Sequence, residues 1–160
     1  MAVKRQLFLD CDGVLADFDV HAEEIFGMPS REAEKHLGTK AFWAKLRARE
    51  NFYGDLPLMH DALDLFEAVR HLDPIILTGC PIGGWSEEQK LGWGAKHFPG
   101  TQMICTKSAE KRRHMNPGDV LVDDYLKYRH LWEEAGGIFV HHRSTAHTLA
   151  ELRRIGILAQ

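Results

Sequence analysis

The sequence predicts an α/β fold, a Rossmann-like three-layer sandwich with a central parallel sheet and a small helical cap inserted after the first strand. Three observations predict it. Short apolar runs alternate with amphipathic segments from residue 61 onward. The runs are apolar throughout rather than at every second position, as expected of strands covered on both faces. The first run is separated from the others by residues 17–60, which have helical composition and no convincing strand. A length of 160 residues suits one domain.

Each element has its own local reason. QLFLD at 6–10 is the first strand. Residues 17–60 follow, with the helical stretches HAEEIF, SREAEKHL and AFWAKLRARE. They are expected to form a cap over the carboxyl edge of the sheet, where open α/β folds bind ligands. The core is then 1–16 with 61–160, and the cap 17–60. The helix at 61–72 carries Ala62, Leu63, Phe66, Val69 and Leu72 on one stripe, behind Asp61 as N-cap. PIILT at 74–78 is the second strand, and 86–98 opens a helix with Ser86 and Gln89 at capping-box spacing. Gly92 and Gly94 each weaken that helix by about 1 kcal/mol relative to alanine.

QMIC at 102–105 is the third strand, and Ser108 is the expected N-cap of a short helix after it. DVLVD at 119–123 is the fourth. A helix over about 125–135 then stops at Gly136-Gly137, IFVH at 138–141 is the fifth strand, and a last helix runs over 145–154.

Bulk properties exclude several classes. A net charge of -3 leaves no basic footprint for a nucleic-acid polymer, although Lys107, Lys111, Arg112, Arg113 and His114 form one local positive cluster. No run reaches the roughly 18 to 20 apolar residues of a membrane span, so no membrane partner is expected. MAVKRQLFLD lacks the apolar region of a signal peptide, which predicts a cytoplasmic location. Cys11, Cys80 and Cys105 are odd in number and without CxxC spacing, which argues for reduced thiols rather than a disulfide framework or zinc site. Adjacent strand residues such as His141 and His142 point to opposite faces, so no metal shared among these and His147 is expected.

The stretch LFLDCDGVLADFD concentrates Asp10, Asp12, Asp17 and Asp19 directly behind an apolar run. Asp10 and Asp12 sit where a strand ends, and Gly13 lets the chain turn away. Asp123 and Asp124 end another strand. Carboxylates gathered at two strand tips need a compensating charge, because unpaired buried charge is very costly. A hard divalent cation supplies it: magnesium takes oxygen ligands and completes its shell with water and substrate phosphate. Thr78 and Gly79 end a third strand, offering a hydroxyl and an unobstructed backbone N–H to a phosphate oxygen. Asp17 and Asp19 are placed at the start of the cap, at a helix N-terminus.

In combination, DxDGV, the later TG, a lysine near the next helix start and the terminal DD resemble the four motifs of the haloacid dehalogenase superfamily of phosphohydrolases. Within it, DCDGVLADF, NFYGDLPLMHDALDLFEAV and PGDVLVDD are similar to stretches of the 5'-(3')-deoxyribonucleotidase group and its bacterial and phage relatives. The resemblance implies Asp10 as nucleophile and Asp12 as general acid and base. It implies Mg2+ held by Asp10, the Asp12 carbonyl and Asp123, with Asp124 supporting through water. It further implies Thr78, Gly79 and a lysine on the phosphate. Lys111 is favoured over Lys107 for that lysine, because Ser108 as N-cap puts Lys111 in the first helical turn. Phe18 and Tyr53 match aromatic positions that line the base pocket, with cap core as their alternative place. The implied substrate is a small phosphate monoester, with a (deoxy)nucleoside monophosphate favoured over a sugar phosphate. A receiver-like magnesium-binding signalling module is the non-enzymatic alternative.

Overall fold

The computed structural model describes residues 4–160. Five parallel strands form one sheet: β1 (Leu7–Leu9), β2 (Ile75–Gly79), β3 (Met103–Thr106), β4 (Val120–Asp123) and β5 (Ile138–His141), in the order β3-β2-β1-β4-β5. Register is set by pairs such as Phe8 with Ile75 and Leu121, Thr78 with Cys105, and Asp123 with His141. β1 is central, and the chain order reverses beside it. The carboxyl ends of β1 and β4 therefore flank the switch point at which open α/β sheets form a ligand crevice.

Alternation along each strand fills two faces. Leu7, Leu9, Ile76, Val120, Val122 and Val140 pack into the larger core. It is closed by residues of α4 (Ala62–Val69), α5 (Glu87–His97) and α7 (Thr145–Arg154), among them Leu65, Phe66, Trp93 and Leu152. Phe8, Leu77, Leu121 and Phe139 face the other way, onto Trp132 of α6 (Arg129–Glu134). Helices thus cover both faces of a parallel sheet, which is the predicted three-layer α/β arrangement.

The segment between β1 and β2 contributes α1 (Phe18–Phe26), α2 (Ser30–Leu37) and α3 (Thr39–Arg47). Asp17 caps α1 by accepting from Val20 N at 3.2 Å, and Asp19 accepts from Ser30 Oγ at 2.8 Å, tying α1 to the start of α2. The chain leaves and re-enters the core side by side: Met59 N donates to Leu15 O and Asp17 N to Pro57 O, both at 2.8 Å. Phe18, Phe26, Phe42, Trp43, Phe52 and Tyr53 form a linked aromatic cluster beneath these helices.

Several expected caps are used differently. Ser86 precedes α5, yet its hydroxyl makes no cap bond, and Gln89 reaches across to accept from Tyr53 N at 2.9 Å instead of closing a capping box. Asp61 precedes α4, but its side chain accepts from Thr145 N of α7. The segment after β3 is a 3-10 helix, Ser108–His114, preceded by Lys107, so Ser108 lies inside it and caps nothing. The helix expected from residue 125 starts at Arg129, because Tyr125 N turns back onto Asp123 Oδ1 at 3.0 Å.

Candidate active site

Three strand ends converge at the crevice. Asp10 follows β1, Thr78 and Gly79 close β2, and Asp123 closes β4, with Asp124 next in the chain. Asp10 is tied into the sheet by its N–H donating to Val122 O at 2.9 Å. Gly13 then turns the chain with φ +86°, and a Cβ there would collide with the Asp124 carboxylate. Both features of this glycine, its positive φ and the close approach, exclude a side chain.

The carboxylates divide between two buried lysines. Lys111 Nζ bridges Asp10 Oδ1 at 2.8 Å and Asp123 Oδ2 at 3.0 Å. Lys90 Nζ, on α5, donates to Asp12 Oδ2 at 2.9 Å, Thr78 Oγ1 at 2.8 Å and Gly79 O at 2.8 Å. Its charge also lies over the Tyr53 ring, 4.4 Å from the centroid. Lys90 is only 2% exposed. Buried ammonium groups normally lose their proton, but here the carboxylates outweigh desolvation: Asp12 holds Lys90, and Asp10 with Asp123 hold Lys111, above the ordinary lysine range.

Burial dominates on the acidic side. It raises Asp10 to about 6, with Asp123 adding repulsion and Lys111 opposing. Burial likewise raises Asp12 against the pull of Lys90; Asp124 keeps an exposed surface, but partial desolvation and the charges of Asp10 and Asp123 beside it also raise it. Carboxylate oxygens of Asp10, Asp123 and Asp124 lie within 4.8 Å of one another. Three acidic groups against one ammonium leave surplus negative charge, and oxygen-only donors at this spacing fit a hard cation such as Mg2+. The Asp12 carboxylate is outside this group and is spoken for by Lys90. Among the described residues, no metal-capable group includes His141, His142 or His147. His142 is buried, with Nδ1 2.7 Å from Thr148 Oγ1.

A cavity of about 1220 Å³ opens above these groups, walled by Asp10, Asp12, Gly79 and Lys111 from the core and by Phe18, Trp43 and Tyr53 from the insertion. Phe18 and Trp43 keep partial exposure. Tyr53 is buried, its ring engaged by Lys90, Phe52 and Trp85. Lys107 is exposed at the rim, while Lys111 is buried on the carboxylates, so the geometry favours Lys111. Gly79 packs so close to Ser108 that a Cβ would strike its hydroxyl and press on its Cα.

Two site residues escaped the sequence reading. Trp43 sits in a helix whose other aromatic, Phe42, is core. Lys90 was hidden inside an amphipathic helix. Its signal was its place on the buried stripe Lys90, Trp93, Gly94, at i, i+3 and i+4, where a charged residue is out of pattern.

No protein-family model matches the chain, and no curated protein does. Solved structures match its fold over almost its whole length. A HAD family hydrolase from Deinococcus radiodurans, with bound phosphate and sodium, is 15% identical with a TM-score of 0.56 over 96% of this chain and 97% of that one. L-2-haloacid dehalogenase from Xanthobacter autotrophicus, with chloropropionic acid covalently bound, is 14% identical with a TM-score of 0.57 over 99% and 85%. A hydrolase from Streptococcus pneumoniae is 14% identical with a TM-score of 0.53 over 96% and 98%. The chain therefore has the fold of haloacid dehalogenase-like hydrolases. Among the described residues, no helix is long and apolar enough to cross a membrane.

Proposed function

We propose that this protein is a haloacid dehalogenase-superfamily phosphatase that hydrolyses a small phosphate monoester with Mg2+, through an aspartyl-phosphate. The observation that carries this reading is the division of the two strand-end aspartates. Asp10 joins Asp123 and Asp124 around Lys111, whereas Asp12 is drawn aside to Lys90. That division supports nucleophilic attack by the first carboxylate and proton transfer by the second. A receiver-like module is disfavoured, because its sheet order places the strands as 2-1-3-4-5, whereas here Asp10 follows a first strand flanked by β2 and β4.

Asp10, Asp123, the Asp12 carbonyl and, through water, Asp124 are the residues that would hold Mg2+. When bound, the cation neutralises charge so that an anionic carboxylate can approach an anionic phosphate. The protein supplies the remaining steps. An Asp10 carboxylate oxygen attacks phosphorus while the ester P–O bond breaks, and Asp12 gives a proton to the departing oxygen. Asp12 then takes a proton from water, whose oxygen attacks the same phosphorus, releasing inorganic phosphate and restoring Asp10. Lys111, Thr78 and the Gly79 N–H stabilise the phosphoryl oxygens.

The favoured substrate is a (deoxy)nucleoside monophosphate. Its support is the cavity wall, where Phe18 and Trp43 lie 6.2 Å apart with partly exposed rings that suit a base. Tyr53 takes the cap-core place, because the ring face that meets Lys90 is closed to a base. The test is phosphate release from a panel of nucleotide and sugar monophosphates with magnesium and with chelator. Asp10→Asn is expected to abolish turnover, and a variant as fast as the parent would refute the covalent route. Asp12→Asn is expected to lose about 10² to 10⁴ in rate. A panel in which sugar phosphates lead would replace the nucleotide assignment while keeping the chemistry.

A further inference from the structure

Lys90 lies outside the four sequence motifs, yet among the described residues it is the cation with the fullest set of hydrogen bonds to the site. An ammonium has three N–H donors, and Lys90 uses all of them on the site: Asp12 Oδ2, Thr78 Oγ1 and Gly79 O, at 2.8–2.9 Å. None is left for substrate phosphate, in contrast to a lysine that would bind the ester directly. Tyr53 covers the remaining side, and Gln89 on the same helix holds the Tyr53 N–H. The cation is therefore enclosed by the core helix below and the insertion above.

Stability alone does not explain this residue. A buried ion pair is often no better than a well-packed apolar side chain of similar volume, and the stripe that Lys90 occupies on α5 is otherwise buried against the core by Trp93 and Gly94. What the lysine adds is orientation. By holding Oδ2 of Asp12, it fixes the carboxylate with its other oxygen free, and the Asp12 side chain lines the cavity and keeps 26% exposure. The lysine's bonds to the fully buried Thr78 Oγ1 and to Gly79 O in turn fix the ammonium itself against the end of β2.

Resting on the phosphatase reading above, we propose that Lys90 is a positioning residue that aims Asp12 at the leaving oxygen. It acts through Asp12 in both half-reactions. It touches neither substrate nor the reacting atoms.

The experiment compares two esters, p-nitrophenyl phosphate, whose leaving group departs without a proton, and glycerol phosphate, whose alkoxide needs one. In Lys90→Met, steady-state turnover of glycerol phosphate is expected to fall by about 10² or more, the range for a lost proton transfer. Nitrophenolate release in the first turnover should fall much less. Because hydrolysis of the aspartyl-phosphate also needs Asp12, the variant should then show a burst near one equivalent of nitrophenolate followed by slow turnover. A merely structural lysine would give equal losses on both esters and no burst, and that result overturns the proposal.

Asp12→Asn with Lys90→Met removes both charges and so leaves no uncompensated group if the single variant folds poorly. In that background Lys90→Met is expected to cause no further loss on glycerol phosphate, whereas additive losses would show that Lys90 does not act through Asp12. Parent protein that releases phosphate from neither ester and from no member of the nucleotide and sugar phosphate panel would overturn the phosphatase reading itself. Active parent beside an unimpaired Lys90→Met would overturn only the role of Lys90.

Discussion

Replacing Lys111 by methionine isolates the electrostatic problem on which the site is built. The change keeps much of the side-chain volume and removes the ammonium from between Asp10 and Asp123, both buried. Removing one partner of a buried ion pair typically costs about 3–5 kcal/mol, because the remaining charge has no compensation. For a domain of about 150–250 residues each kcal/mol moves the melting temperature by roughly 2–4 °C. In chelator the variant should therefore melt about 6–20 °C below the parent. Adding magnesium should recover most of that loss, because three carboxylates without a competing ammonium bind the cation more tightly, and stabilisation grows with [L]/Kd. The assay is paired thermal melts of parent and variant in chelator and in excess magnesium. A variant that melts within about 2 °C of the parent in chelator, or gains no more from magnesium than the parent does, would show that Lys111 does not neutralise this cluster.

Measured in chelator as the difference between the parent and Asp10→Asn, so that the histidines and Cys80 cancel, stability should fall as pH rises through about 6, since burial raises Asp10 to about 6, above its unfolded value, and the native state holds the extra proton; saturating magnesium should remove this slope, and a difference independent of pH in denaturant titrations would refute it. Gly13→Ala combines a strained positive φ with a clash against Asp124, so activity should need far more magnesium, read from a metal titration; an unaltered requirement would dissociate Asp124 from the metal group. Phe18→Ala and Trp43→Ala should each raise KM for nucleotides by about 5- to 150-fold, the equivalent of about 1–3 kcal/mol per stacked base, and leave KM for glycerol phosphate nearly unchanged. Equal losses on both substrates would return these rings to a packing role.

Elements whose cause is local were legible in the sequence. The five apolar runs are the five strands, because a run buried on both faces carries its own signature. Asp10, Asp123 and Thr78 were recognisable as strand-end residues for the same reason. Features that depend on a distant partner were not. Gln89 and Asp61 look like local caps, but each binds across the fold, to Tyr53 N and Thr145 N. Strand order is equally non-local: nothing within β1 says that β2 and β4 will be its neighbours.

Lys90 is the clearest case of a residue whose role comes from its partners. Its place on the stripe with Trp93 and Gly94 marks it as out of pattern, but only the contacts with Asp12, Thr78 and Gly79 O reveal what it holds. Asp10 and Asp12 are two apart and share one turn, so the sequence places both carboxylates in one crevice with nothing to distinguish them. The fold distinguishes them by bringing Lys111, from the segment after β3, to the first, and Lys90, from the helix after β2, to the second. Two equivalent carboxylates side by side would repel and share one set of partners. Two carboxylates on separate cations can be held in different directions at once, which is the geometric condition for one to attack phosphorus while the other serves the leaving oxygen. The DxD spacing supplies the pair, and the two helical segments on neighbouring strands make its members unequal.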